Sequence, residues 1–130
     1  MPSTVDIIVR SRYDRRMTMI ADERQGQLRA LAALFHSLSD GTRLAIVHRL
    51  ASGEARVADL VADLGMAQST VSTHVACLKD CGLVDGRPVG RQVFYRLAVP
   101  ELMHLLGDAE TILETTDQAV LDCPIFGVQR

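Results

Sequence analysis

Apolar residues recur along this chain with helical spacing in five stretches and with strand spacing in one. Leu28, Leu31, Phe35 and Leu38 follow each other at steps of three and four, with Leu34 widening the stripe, which predicts an amphipathic helix ending near Ser39. Asp40 stands where an N-cap belongs, its carboxylate able to accept a free backbone N–H at the start of a second helix carrying Leu44, Ile46, Val47 and Leu50. The run ASGE at 51–54 breaks that helix. Val57, Leu60, Val61 and Leu64 then predict a short third helix, stopped by Gly65 in the position just past its end. After a tight turn, Gln68 or Ala67 opens a fourth helix with Val71, Val75 and Leu78 facing inward, closed by Gly82.

Beyond Gly82 the period changes. LVDGRPVGRQVFYRL, residues 83–97, holds two β-prone runs, Leu83 to Arg87 and Gln92 to Leu97, joined by a Pro and Gly turn, which predicts a hairpin. Pro100 suits the first turn of a last helix, where its missing N–H is no loss. There Leu102, Leu105, Ala109, Ile112, Thr116 and Ala119 form a heptad-like seam of about 20 residues, roughly 30 Å. So long a seam is more apolar edge than a small core needs, and a second copy of the chain is the natural place to bury its far half. Short helix, tight turn, second helix and two-stranded hairpin is the order of a winged helix-turn-helix. The expected fold is therefore mainly α with a small β-hairpin, a homodimer through its N- and C-terminal helices. Residues 1–17 read as a basic arm, 18–123 as the winged helix-turn-helix domain and 124–130 as a tail.

Composition narrows the chemistry. With 130 residues and 48% hydrophobic content the chain fills one core. Its apolar runs are short and its start has no secretory pattern, so a soluble cytosolic protein is expected, with no membrane partner. Thiols stay reduced in that compartment, and three cysteines are an odd number, so metal binding or redox chemistry is a better question than a disulfide framework. A formal net charge of −2 means that any nucleic-acid contact must rest on local patches, such as the cluster Arg10, Arg12, Arg15 and Arg16. The chain has no C-x-x-C pair, no Gly-rich phosphate loop and no nucleophile paired with a base. It reads as neither an enzyme nor a binder of a small organic substrate.

The residues themselves point to double-stranded DNA. A recognition helix enters the major groove by its N-terminal end, which presents Gln68, Ser69, Ser72 and Thr73 to base edges, with Thr70 and His74 alongside. Glutamine bonds adenine N6 and N7 in bidentate fashion, hydroxyls bond many edges, and no Arg or Lys stands there to grip guanine, so a site leaning towards A·T pairs is expected. At the hairpin tip Arg87 and Arg91 suit phosphate or minor-groove contact.

Cys77 and Cys81 stand four apart on the same helix. Their Cβ atoms are then about 5–6 Å apart, too wide for an unstrained disulfide at about 3.5–4.5 Å. Two thiolates on one cation, each at about 2.3 Å, sit roughly 4 Å apart, within reach of ordinary rotamers. The plain alternative is that one or both simply fill space as small apolar groups. Cys123, in LDCPIF, follows the last helix, whose length of about 30 Å can carry it back over a recognition helix, its own or a second chain's. Three thiolates form a soft set, which favours large thiophilic ions over magnesium, calcium or manganese and is satisfied equally by trivalent arsenic, with zinc also possible. His74, on the same edge as the pair, offers a further ligand. A thiol oxidation switch is the rival from another class.

SDGTRLAIVHRL, QSTVSTHVACLKDCGLV and GRQVFYRL, in that order, resemble the ArsR/SmtB family of bacterial metal-sensing winged-helix repressors over residues 28 to 123. The pair Cys77 and Cys81 with a later cysteine resembles its cadmium- and lead-sensing CmtR branch. The resemblance implies an apo homodimer on a palindromic operator, released when cadmium or lead binds a site shared across the dimer. Two ligands would come from one recognition helix and Cys123 from the other chain's tail. It also places a histidine at position 74 near the DNA backbone. Glu101, His104 and Asp108 resemble a zinc site of some relatives but lack its second histidine, and read as a solvated face. Gln68→Ala is expected to cost about 1–3 kcal/mol of discrimination between A·T and G·C at one position of the operator, measured by competition binding with single-base variants.

Overall fold

A computed structural model of the chain describes residues 4–116 and 118–127, with side chains from residue 20 onward. It divides into two units, Met1–Ser39 and Asp40–Arg130. The first is one helix, α1, Thr4–Leu38, 35 residues or about 50 Å long. It begins well before the expected start, because the backbone of 4–17 is helical rather than an irregular arm; the side chains of Arg10, Arg12, Arg15 and Arg16 lie outside the described residues. Much of the stripe that marks the helix is exposed within one chain, with Leu28 at 55% exposure and Phe35 at 49%, while Leu38 at its end is buried.

The second unit runs α2 (Gly41–Ala51), α3 (Val57–Leu64), α4 (Gln68–Asp80), β1 (Val84–Val89), β2 (Gln92–Leu97) and α5 (Leu102–Thr116). Local chemistry accounts for the boundaries. Asp40 caps α2, its Oδ1 accepting the backbone N–H of Arg43 at 3.0 Å. Gly65 ends α3 at φ +64°, in the left-handed region glycine enters without strain, and its N–H reaches the Val61 carbonyl. Gly82, at φ +77°, ends α4, and the Leu83 N–H returns to the Leu78 carbonyl, which turns the chain sharply into β1. The strands pair antiparallel from Val84 opposite Leu97 to Val89 opposite Gln92, around a two-residue turn of Gly90 and Arg91. β1 starts one residue later and runs two residues further than its pattern indicated, through Pro88, which a two-stranded ribbon tolerates because each strand has a free edge.

Ile46, Val47, Leu60, Val71 and Leu78 are wholly buried, and Leu50, Val75, Val84, Leu102 and Leu106 nearly so. A bridge between Ala55 and Tyr95, with N–H···O distances of 3.0 and 2.8 Å, ties the α2–α3 connection to β2 and sets the hairpin against the helices. α5 departs from expectation. It ends at Thr116, so Ala119 lies outside the helix, and the buried positions are Leu102 and Leu106, while Ile112 is 60% exposed. Thr115 and Thr116 turn their hydroxyls back onto the carbonyls of Thr111 and Leu113, a competition that weakens a helix end.

Among these contacts the Asp40 cap carries a pH signature. The backbone N–H of Arg43 holds the Asp40 carboxyl below its ordinary value, against a smaller opposing effect of desolvation. A depressed folded-state value stabilises above the unfolded value and is lost as pH falls through the folded one. Asp40→Ala is expected to cost about 0.5–2 kcal/mol at neutral pH, with the gap to wild type closing below the ordinary value of 3.8, measured by urea denaturation across pH.

Candidate nucleic-acid interface and metal site

The rotation of α4 is set by its apolar seam. Val71, Val75 and Leu78 follow each other at steps of four and three and are buried, which turns the opposite face outward. Gln68, Ser69, Thr70, Ser72 and Thr73 are all exposed on the first two turns. Ala67 supplies no side-chain cap and no acidic residue stands in the first turn, so the positive end of the helix dipole is left uncompensated on that face. The Thr73 hydroxyl donates back to the Ser69 carbonyl at 2.8 Å and presents its lone pairs outward.

His74 differs from its neighbours on this face. Its side chain is only 21% exposed and turns towards the start of α2, with Nδ1 3.2 Å from Arg43 Nη1 and Nε2 3.9 Å from Asp40 Oδ1. Asp40 and Arg43 were legible in the sequence only as a cap and a motif residue; nothing local signals that they meet a histidine 31 positions away.

One turn further on, Cys77 is half-buried and Cys81 is exposed at the helix C-cap. Their i, i+4 spacing sets the two thiols one turn apart along the same edge of α4. Burial pushes the Cys81 thiol up, the adjacent Cys77 and Asp80 push it the same way, and Arg43 pulls it down. Cys123 is half-buried in a tight turn after α5. The backbone N–H groups of Phe126 and Ile125 lower the pKa of its thiol, against a smaller effect of burial, while the Gly127 N–H donates to the Cys123 carbonyl at 2.8 Å. Gly127 is required there, since an added Cβ would collide with the Leu121 carbonyl. Among the described residues of one chain, no three His, Cys, Asp or Glu side chains come close enough to share a metal ion. The α4 pair is thus together, while Cys123 and His74 do not complete a set with it within the chain. Glu101, just before α5, and His104 and Asp108 on it are exposed.

In the hairpin Arg91 is exposed at the turn. Arg87 is engaged: Nη2 lies 2.6 Å from Glu54 Oε2, and its guanidinium sits 5.6 Å from the centre of the Phe94 ring. Arg56 lies over the same ring at 5.8 Å and is itself held by Asp59, at 2.8 Å. The Arg56 guanidinium and backbone N–H hold the Asp59 carboxyl well below the usual carboxylate range. Glu54 and Phe94 escaped the sequence reading; the alternation of β2 marked Phe94 as one face of a strand but not as the floor under two arginines.

This architecture and these segments coincide with known proteins. Residues 40–85 match the family model described as bacterial regulatory protein, arsR family. The HTH-type transcriptional regulator CmtR of Mycobacterium bovis is 41% identical over 88 residues, covering 68% of this chain and 75% of that protein. The chain belongs to the ArsR family. A probable mercury resistance operon repressor of Streptomyces lividans is 36% identical over 103 residues, covering 76% of this chain and 82% of that one. Among solved structures, the homodimeric winged helix-turn-helix DNA-binding domain of a possible ArsR-family transcriptional regulator from Mycobacterium bovis superposes with a TM-score of 0.64 at 30% identity, covering 72% of this chain and 86% of that one. As an ArsR-family member the chain is a DNA-binding transcriptional regulator rather than an enzyme. Among the described residues no helix is long and apolar enough to cross a membrane.

In an ArsR-family wing the Glu54 contact has a measurable consequence. Glu54→Gln releases Arg87 for phosphate, and is expected to raise DNA affinity and steepen the slope of log affinity against log salt by about 0.9 per phosphate gained. Anisotropy over a salt series checks this; an unchanged slope would place Arg87 out of reach of the backbone.

Proposed function

We propose that this chain is a metal-responsive repressor whose apo homodimer binds a palindromic operator and is released when a soft cation, cadmium or lead, is held by Cys77 and Cys81 of one subunit and Cys123 of the other. The observation that carries the reading is the pair of adjacent thiols on the helix whose exposed N-terminal face carries Gln68, Ser69, Thr70, Ser72 and Thr73. A site on that helix acts on DNA binding without an intermediary domain. Dimerisation is supported by the exposed Leu28, Leu31 and Phe35 of α1 and Ile112 and Leu113 of α5, and by the homodimeric state of a structural relative. A twofold dimer reads a twofold operator. In this reading His74 lies near the DNA backbone, Arg91 reaches the flanking groove from the wing, Arg87 joins it where phosphate displaces Glu54, and the whole operates in the reducing cytosol.

Cys77 and Cys81 supply two thiolates, and a third thiolate completes the three-coordinate soft set that large thiophilic ions accept. Among the described residues Cys123 does not join the pair within its own chain, and in this reading it ligates across the dimer. Its backbone N–H cradle stabilises the thiolate form that ligation needs. A relative named for mercury resistance supports a thiophilic effector in general. Arsenite is accommodated by the same three sulfurs and serves as the competing ligand in the test.

Anisotropy of the metal-free protein on a palindromic A·T-rich duplex, titrated with cadmium, lead, zinc and arsenite, separates these effectors. Cadmium or lead is expected to weaken DNA binding by about 5–150-fold, and Cys77→Ser, Cys81→Ser and Cys123→Ser each to remain bound. Mixing the Cys123→Ser chain with a Cys77→Ser/Cys81→Ser chain restores one intact site if the ligands come from both subunits. The effect weakens as pH falls, because protons compete with the metal for sulfur and burial raises the Cys81 thiol. Release of all three variants as readily as wild type would overturn the proposal.

A further inference from the structure

Ile125 is 78% and Phe126 is 89% exposed, more than any other large hydrophobic side chain among the described residues. Scattered exposed apolar residues are ordinary, whereas a cluster of them marks an interaction surface. Of the twelve exposed large hydrophobics among the described residues, four lie on α1 and six lie within 112–126. Only Val89 and Val99 are elsewhere. The apolar surface therefore continues from Ile112 and Leu113 of α5 through Val120 and Leu121 to the tip at Ile125 and Phe126.

The tip is held in shape by its own backbone. Past α5 the chain bonds to itself turn by turn: the Ala119 N–H donates to the Thr116 carbonyl at 3.1 Å, Asp122 to Gln118 at 3.0 Å and Gly127 to Cys123 at 2.8 Å. Pro124 fixes its own φ inside the last of these turns, and a side chain at 127 would collide with the Leu121 and Cys123 carbonyls. Ile125 and Phe126 are the residues that this closed turn leaves in solvent. A segment ordered before it docks loses less conformational freedom on docking.

Charge selects the occupant. Residues 101–127 carry six carboxylates, Glu101, Asp108, Glu110, Glu114, Asp117 and Asp122, and no Lys or Arg, so DNA phosphate and anionic lipid both repel the segment. A second copy of the chain suits it. Its α1 carries six arginines against four acids, opposite in sign to the C-terminal segment, and exposes the remaining apolar stripe. An ArsR-family relative is itself homodimeric. We propose that Ile125 and Phe126 form an apolar clasp that docks on the second copy in the homodimer. Cys123 belongs to the same turn, so the clasp seats that residue against the second copy. It operates in the metal-free protein and does not depend on the thiols being metal ligands.

The test uses the full metal-free chain. Phe126→Trp gives the protein its one tryptophan, placed at the tip. At concentrations where sedimentation shows a dimer, its emission is expected to lie to the blue of an indole in water, and to move to the red on dilution into monomer. Ile125→Ser/Phe126→Ser is expected to raise the dimer dissociation constant by about tenfold or more, the scale of losing one or more large buried side chains. Both side chains are exposed within one chain, so its circular dichroism is expected to match wild type. Val89→Ser, which removes an exposed apolar side chain from the hairpin instead, is expected to leave the constant unchanged. A tryptophan that emits as in water in the dimer, or a double variant that dimerises as tightly as wild type, would overturn the inference. An equal weakening by Val89→Ser would overturn it too, because the loss would then not belong to the tip.

Discussion

The burial of Val71, Val75 and Leu78 along one edge of α4 is the constraint on which the rest of the molecule depends. These three residues are at most 2% exposed, and emptying any of them would cost both transfer free energy and a cavity. Because a helix is rigid about its axis, fixing that edge fixes every other side chain on it. The polar residues of the first two turns face outward, His74 turns to the start of α2, and the two cysteines stand one above the other at the far end. A single apolar seam therefore places the exposed polar residues and the thiols in constant register.

Electrostatics in this chain is organised by local pairing rather than by net charge. The overall balance is slightly acidic, and several arginines are engaged by carboxylates: Arg49 with Asp63, Arg56 with Asp59, Arg87 with Glu54. Exposed pairs of this kind contribute little to stability. What they do is orient guanidinium groups. Arg56 and Arg87 are both held over Phe94, which stiffens the base of the hairpin, while Arg91 at its tip stays in solvent.

The three thiols sit in contrasting surroundings. Cys81 is raised by burial and by its neighbour, so it keeps its proton until a ligand displaces it. Cys123 is lowered by the backbone N–H groups of Phe126 and Ile125, against a smaller effect of burial.

The sequence by itself determined the elements and their punctuation. The caps at Asp40, Gly65 and Gly82, the seam of α4, the hairpin and the i, i+4 spacing of Cys77 and Cys81 all arise from residues within one or two turns of each other, where backbone geometry leaves few choices. The ends of α1 and α5 were less legible: basic residues in 4–17 do not oppose helix, and the threonines that stop α5 are only mildly unfavourable to it. Pairings across long stretches of chain were decided by tertiary structure alone. Arg43 with His74, Glu54 with Arg87 and Ala55 with Tyr95 join residues more than 30 positions apart, and no local pattern encodes which charged or polar groups will face each other once the helices have packed. The apolar pattern sets which faces are buried, but only the packed arrangement brings particular polar groups within bonding distance.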